Sequence, residues 1–106
     1  MARGRIGLET LARISSQNAA RRLRLYPRKG AIAPGSDADL VVFDPSRPTR
    51  LGVSRYRGLS DYSLWEGRMV PGIPVMTFLR GEQCVHDGEV VTDKPSGRYL
   101  DYRIRG

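Results

Sequence analysis

The sequence has a single cysteine, Cys84, among 106 residues. One thiol excludes an internal disulfide framework and suits a reducing cytoplasm. No run of about 18 apolar residues occurs, which excludes a membrane-spanning helix. Met1-Ala-Arg-Gly-Arg-Ile6 has no apolar stretch behind its charges, so no secretory signal is expected there. The length is too small for a (β/α)₈ barrel, which needs at least about 200 residues. Internal repeats and low-complexity segments are also missing. Acidic residues are scarce at one end only. Residues 1–30 hold eight basic residues and one acid, Glu9, whereas residues 31–106 hold ten of each sign. The net charge of +7 therefore belongs to the first 30 residues, and sixteen of the eighteen cations are arginine.

With 40% apolar and 27% charged residues, the chain is set to fold rather than stay disordered. Residues 8–25 contain neither proline nor glycine. Leu8, Leu11, Ala12 and Ser15 recur at helical spacing, as do Ala19, Leu23 and Tyr26. Ser15-Ser16-Gln17-Asn18 interrupts the pattern with N-cap residues. The spacing predicts two short helices, about 8–14 and 19–25, the second capped by Asn18 and stopped by Pro27. Arg21, Arg22 and Arg24 sit in the last turns, where a helix dipole favours cations.

From Gly30 onward the pattern is β. Pro34-Gly35 predicts a type II turn. Leu40-Val41-Val42-Phe43 is a continuous apolar run closed by Asp44-Pro45, which predicts a strand covered on both faces. Residues 44–73 predict a short edge strand near 51–55 within a long irregular connection. Val75–Arg80, Gln83–His86 and Glu89–Val91 predict a meander. Its turns are a II′ pair at Gly81-Glu82 and a I′ pair at Asp87-Gly88. The fold class is α+β: two short N-terminal helices, then a small, mainly antiparallel sheet. Such a chain has a thin core. Leu8, Leu11, Leu23 and Tyr26 are expected to be partly exposed, and the isolated protein to self-associate or be marginally stable.

The stretch from Asn18 to Pro45 resembles the C-terminal region of the hydantoinase/dihydropyrimidinase family of cyclic amidohydrolases. Leu25-Tyr-Pro-Arg-Lys-Gly30 is its more specific part, and Gly35-Ser-Asp-Ala-Asp-Leu-Val-Val42 is shared more broadly among amidohydrolases. Asp61-Tyr-Ser-Leu-Trp-Glu-Gly67 resembles the family's Tyr-x-x-x-Glu-Gly segment. Arg80-Gly81, Asp87-Gly88 and Gly97-Arg98-Tyr99-Leu100 follow in order, so the resemblance runs from about Gly7 to Leu100.

The resemblance implies a parent fold of a (β/α)₈ barrel plus a small β-sandwich built from both chain ends. It implies hydrolysis of cyclic amides assisted by two zinc ions, held by histidines, an aspartate and a carboxylated lysine of the barrel. Residues 1–29 would be the last barrel helices, 30–92 the C-terminal share of the sandwich, and 93–106 a tail. The implied partners are the barrel portion and, through the tail with Tyr99, Tyr102 and Ile104, a neighbouring subunit. The alternative is a stand-alone, non-catalytic interaction module derived from that family.

No family ligand position maps onto this chain, which has one histidine, His86. Lys29 falls in the helix-to-strand turn and Lys94 in the tail. Glu82, Cys84 and His86, at strand spacing on one face, could sketch three metal ligands; the simpler expectation is a half-exposed hairpin. Cys84 reads as a small apolar residue rather than a nucleophile. Asp37 and Asp39 read as turn carboxylates accepting backbone N–H groups rather than a catalytic pair. Gly30, Gly35, Gly81 and Gly88 read as turn formers, since none precedes a helix as a phosphate loop would. The N-terminal arginines suit a solvated helix face better than a nucleic-acid interface, for which no accompanying motif exists. Tyr56, Tyr62 and Trp65 are expected to pack the long connection over the sandwich. No catalytic, cofactor-binding or metal-ligating residue is assigned, and no cofactor is expected in this chain.

Overall fold

A computed structural model describes residues 4–55 and 59–100. Helix α1 spans Leu8–Ala12 and α2 spans Asn18–Arg22, both as expected in kind. The segment between them is not a break. Arg13–Gln17 forms a π-helical turn, and Ala12 and Asn18 both keep right-handed helical angles. Asn18 is therefore the first residue of α2 inside a continuous helical run, not an N-cap. The Ser15 hydroxyl donates back to the Leu11 carbonyl at 2.6 Å. That bond satisfies the serine without ending the helix, and such back-bonding loosens the regular ladder locally.

The helix ends earlier than Pro27 requires. Arg24 adopts φ 60°. The Leu25 N–H donates to the Ala20 carbonyl at 2.8 Å, and the Arg24 N–H to the Arg21 carbonyl at 3.1 Å. This is a Schellman C-cap built on arginine where glycine is usual. The following Tyr26–Pro27 peptide bond is cis.

Pro34-Gly35 makes the expected turn: Gly35 has φ 88°, and the Ser36 N–H donates to the Ala33 carbonyl at 3.0 Å. Strand β1 is Leu40–Asp44, β2 Thr49–Arg50, β3 Met69–Val70, β4 Ile73–Leu79, β5 Glu82–His86 and β6 Glu89–Val90. A four-stranded antiparallel sheet runs β1-β4-β5-β6, and β2 pairs with β3 separately. The edge strand expected near 51–55 is thus displaced to Thr49–Arg50, and Val53–Arg55 is a 3₁₀ turn.

The hairpin turns differ in one place. Leu79 pairs with Glu82, so the two-residue loop is Arg80-Gly81, not Gly81-Glu82. With φ 46° and 85°, both loop residues lie in the left-handed region, which is type I′ rather than II′. Asp87-Gly88 is I′ as expected, with φ 53° and 84° and His86 paired to Glu89.

Covered side chains are few among the described residues: Ala20 at 6% exposure and Thr49 at 7%. Leu8, Leu11, Leu23 and Tyr26 are exposed, as expected. The both-face burial expected of β1 is not met, since Val41 is 61% exposed. Beta-1 pairs only with β4, so one side of it is an open sheet edge. Tyr62 and Trp65 are exposed rather than packed over the sheet. Tyr56, Tyr102 and Ile104 lie outside the described residues.

Candidate functional site

The densest polar cluster joins three distant segments. The Schellman turn carries the chain to Arg28-Lys29, the type II turn delivers Asp37 and Asp39, and the β4–β5 loop delivers Arg80. The Lys29 ammonium bridges both carboxylates, at 3.0 Å from Asp37 Oδ2 and closer still to Asp39 Oδ2. Arg28 Nε donates to Asp37 Oδ2 at 3.0 Å. Asp39 Oδ1 accepts the Arg80 N–H at 2.9 Å, and the Ala38 carbonyl accepts the Gly81 N–H at 3.0 Å. Two hydrogen bonds to backbone carbonyls reinforce the clasp: Asp37 N–H to the Arg28 carbonyl at 2.9 Å, and the Ser36 hydroxyl to the Pro27 carbonyl at 2.6 Å.

These contacts explain why the β4–β5 turn tolerates arginine at φ > 0. Its N–H is held by Asp39 and the next by Ala38, so tertiary bonds offset a conformation that arginine rarely adopts. Of the two carboxylates expected to accept backbone N–H groups, only Asp39 does, and its donor is Arg80 of the distant β4–β5 loop; the Asp37 carboxylate meets the side chains of Arg28 and Lys29. The role of Lys29 escapes a reading by segments. The one available signal is compositional: it is one of two lysines among eighteen cations.

Electrostatics make the clasp a poor acid–base device. The hydrogen bond from Lys29 and then that from Arg28 hold the Asp37 carboxyl below the usual range. For Asp39 the Lys29 hydrogen bond again dominates the lowering. Lys29 is raised, chiefly by its hydrogen bond to Asp39. A carboxylate shifted further toward its ionised form and an ammonium shifted further toward its protonated form exchange no proton near neutrality.

The pH dependence follows in sign. Depressed carboxyls stabilise the fold fully above their ordinary pKa, about 4, and that contribution fades as pH falls through the folded values. Lys29 acts at the other end: its contribution is complete below about pH 10.4 and fades as pH rises through its raised value. Melting temperatures followed by circular dichroism should fall steadily below about pH 4. Asp39→Asn should flatten that fall; an unchanged acid profile in the variant would exclude Asp39 as a contributor.

Beside the clasp lies a cleft of about 1000 Å³ between the helical segment and β1. Its lining includes Glu9, Arg13, Lys29, Ile32, Val41 and Val42. Ile32 is almost wholly exposed within it. A second staple lies in the connection. Glu66 Oε2 accepts the Val53 N–H at 3.0 Å, and the Gly67 N–H donates to the Leu51 carbonyl at 2.8 Å. Glu66-Gly67 therefore closes the loop over β2 and β3.

The Glu82, Cys84 and His86 trio does not assemble. Thr77 pairs with Val85 and Phe78 with Gln83, leaving Cys84 as an extra residue in a bulge. The bulge breaks the alternation that would have aligned Cys84 with His86. Instead Gln83 Nε2 donates to His86 Nδ1 at 3.0 Å, and the Cys84 thiol meets the Glu82 carbonyl at 3.5 Å. No three His, Cys, Asp or Glu residues come together as a metal site among the described residues.

The family model that matches residues 1–84 is that of the amidohydrolase family. The chain belongs to this family. Its relatives include the L-hydantoinase of Paenarthrobacter aurescens, 36% identical over 101 residues, which are 95% of this chain and 22% of that protein. The D-phenylhydantoinase of Escherichia coli O1:K1 / APEC is 39% identical over 97 residues, 92% of this chain and 21% of that protein. The solved structure of a D-hydantoinase (dihydropyrimidinase) from Thermus sp. superposes with a TM-score of 0.85 at 39% identity. It covers 92% of this chain, which covers 21% of it. The chain spans about a fifth of the length of the relatives it matches.

The single histidine, His86, has Nδ1 engaged by Gln83, and the aspartates of the clasp are paired with Lys29 and Arg28.

Proposed function

We propose that this chain is the C-terminal portion of a hydantoinase- or dihydropyrimidinase-like hydrolase acting on the C–N bonds of cyclic amides. By itself it is structural and non-catalytic. Residues 1–29 supply the last barrel helices, 30–92 the C-terminal share of a β-sandwich, and 93–106 a tail that reaches a neighbouring subunit. Its partners are the barrel portion and further copies of the assembled enzyme, in the cytoplasm.

One observation carries the reading: nearly all of this chain matches hydantoinases, yet it matches only a fifth of each. The uncovered faces of Leu8, Leu11 and Val41, and the cleft between helix and β1, are the surfaces a barrel portion would fill. The clasp at Lys29 would keep helix and sheet in register to receive it.

The test is a hydantoin ring-opening assay and a metal analysis on the purified chain supplied with zinc. The expected result is no turnover above buffer and no stoichiometric zinc. Mixing the chain with a D-hydantoinase that lacks the matched segment should give a co-eluting complex. Turnover by the chain alone, with bound zinc, would overturn the reading.

A further inference from the structure

We propose that Arg80 is a latch that positions segment 95–98, and that the Lys29–Asp39 pair steadies the latch by fixing the backbone of Arg80. The order of residues 95–98 is thereby coupled to an ammonium and a carboxylate with which they share no hydrogen bond or ion pair. This inference is independent of the hydrolase reading, because it uses only contacts present within this chain.

Little else holds the chain after β6. The Val91 N–H donates to the Cys84 carbonyl at 2.9 Å. Beyond it, among the described residues, one hydrogen bond ties residues 92–100 to the sheet: Arg80 Nη2 donates to the Ser96 carbonyl. No ion pair involves Asp93, Lys94 or Arg98 among the described residues. The bond is partly shielded from water. Arg80 and Ser96 are both half-buried, whereas Pro95, Gly97 and Arg98 are exposed. A cleft of about 410 Å³ is lined by Leu79, Arg80 and Glu82 on one side of the sequence gap and by Pro95–Arg98 on the other. Hairpin and segment thus meet across open space rather than through a packed apolar seam.

A long side chain holds a target only as firmly as its own backbone is held. Arg80 adopts φ 46°, at the first loop position of a I′ turn, where asparagine, aspartate or glycine is usual. Arginine is a poor choice for that turn and a good one for reaching a carbonyl sixteen residues on. Asp39 makes the choice workable. Its Oδ1 accepts the Arg80 N–H at 2.9 Å, while its Oδ2 is held by the Lys29 ammonium. Without that carboxylate the loop keeps only the bond from the Gly81 N–H to the Ala38 carbonyl, and the guanidinium loses its fixed origin. Held by the latch, segment 95–98 is presented in one conformation, which lowers the ordering cost of any contact it makes.

The experiment is backbone ¹⁵N relaxation on the whole chain, reading the Ser96 and Gly97 amides against those of β4. In wild type their order parameters should approach the strand's, about 0.85. Arg80→Gly should drop both below about 0.6. Glycine suits the turn and keeps the N–H for Asp39, so this variant removes the guanidinium alone. Asp39→Ala should lower the same two values although the guanidinium is still present. Lys29→Met releases Asp39 by a second route and should act in the same direction. The β4 amides and the far-ultraviolet circular dichroism should stay unchanged in all three. Wild-type values already below about 0.6, or values that survive Arg80→Gly, would overturn the latch. Loosening on Arg80→Gly with none on Asp39→Ala or Lys29→Met would overturn the coupling. Equal loosening of β4 would assign the effect to the sheet and overturn both.

Discussion

Replacing Gly30 with alanine should lower stability by about 2–4 kcal/mol, enough to shift the melting midpoint by about 10 °C or more. Two causes combine. Gly30 adopts φ +79°, where an L side chain is strained. A Cβ placed there would lie 2.6 Å from the Ala20 Cβ, 3.1 Å from the Gln17 Cα and 3.3 Å from the Ser16 carbonyl oxygen. Ala20 is covered, and the other two atoms are helix backbone at the junction of the π turn with α2, so none can step aside cheaply. The first residue of the sheet half is thus pressed directly on the helix. Gly97→Ala is the matched control, since a Cβ there meets nothing within 4 Å. Equal melting curves for both variants would show that the helix and Gly30 are not in this contact.

Gly72→Ala should cost about 2 kcal/mol by sterics alone. Its Cβ would stand 2.7 Å from Phe43 Cζ, 2.8 Å from the Asp44 carbonyl oxygen and 2.9 Å from the Pro45 Cα. The phenyl ring can turn away; the two backbone atoms cannot. Asp44 is fixed in addition by its own turn, accepting the Ser46 N–H at 2.9 Å and the Ser46 hydroxyl at 2.8 Å. Adding Phe43→Leu to Gly72→Ala should therefore restore only part of the loss in thermal melts. Full restoration would assign the whole clash to the ring and none to the β1 exit.

Much of the fold is legible in the residues themselves. The turn at Pro34-Gly35, the run Leu40–Phe43 and the I′ pair at Asp87-Gly88 each carry their own local chemistry. The errors share one cause: a particular hydrogen bond or strand pairing settles what residue preference leaves open. Ser15 and Asn18 look like caps, yet the hydroxyl of Ser15 returns to Leu11 and the helix passes through. Arg80 looks unfit for a left-handed turn position until Asp39, forty-one residues earlier, accepts its N–H. Glu82, Cys84 and His86 share a face only in an unbulged strand, and the bulge comes from pairing with β4. The Lys29 cluster is legible in part. Its aspartates stand out, but their shared ammonium lies eight and ten residues away on another turn.

That shared ammonium sits at the joint between the helical segment and the sheet. Strands pack chiefly on strands and helical turns on helical turns, while the joint between them combines ion pairs, hydrogen bonds to the Pro27 and Arg28 carbonyls and the close approach at Gly30. Ionic joints weaken in concentrated salt, whereas apolar seams do not. Concentrated salt is thus expected to loosen the joint before it disturbs the contacts within either half.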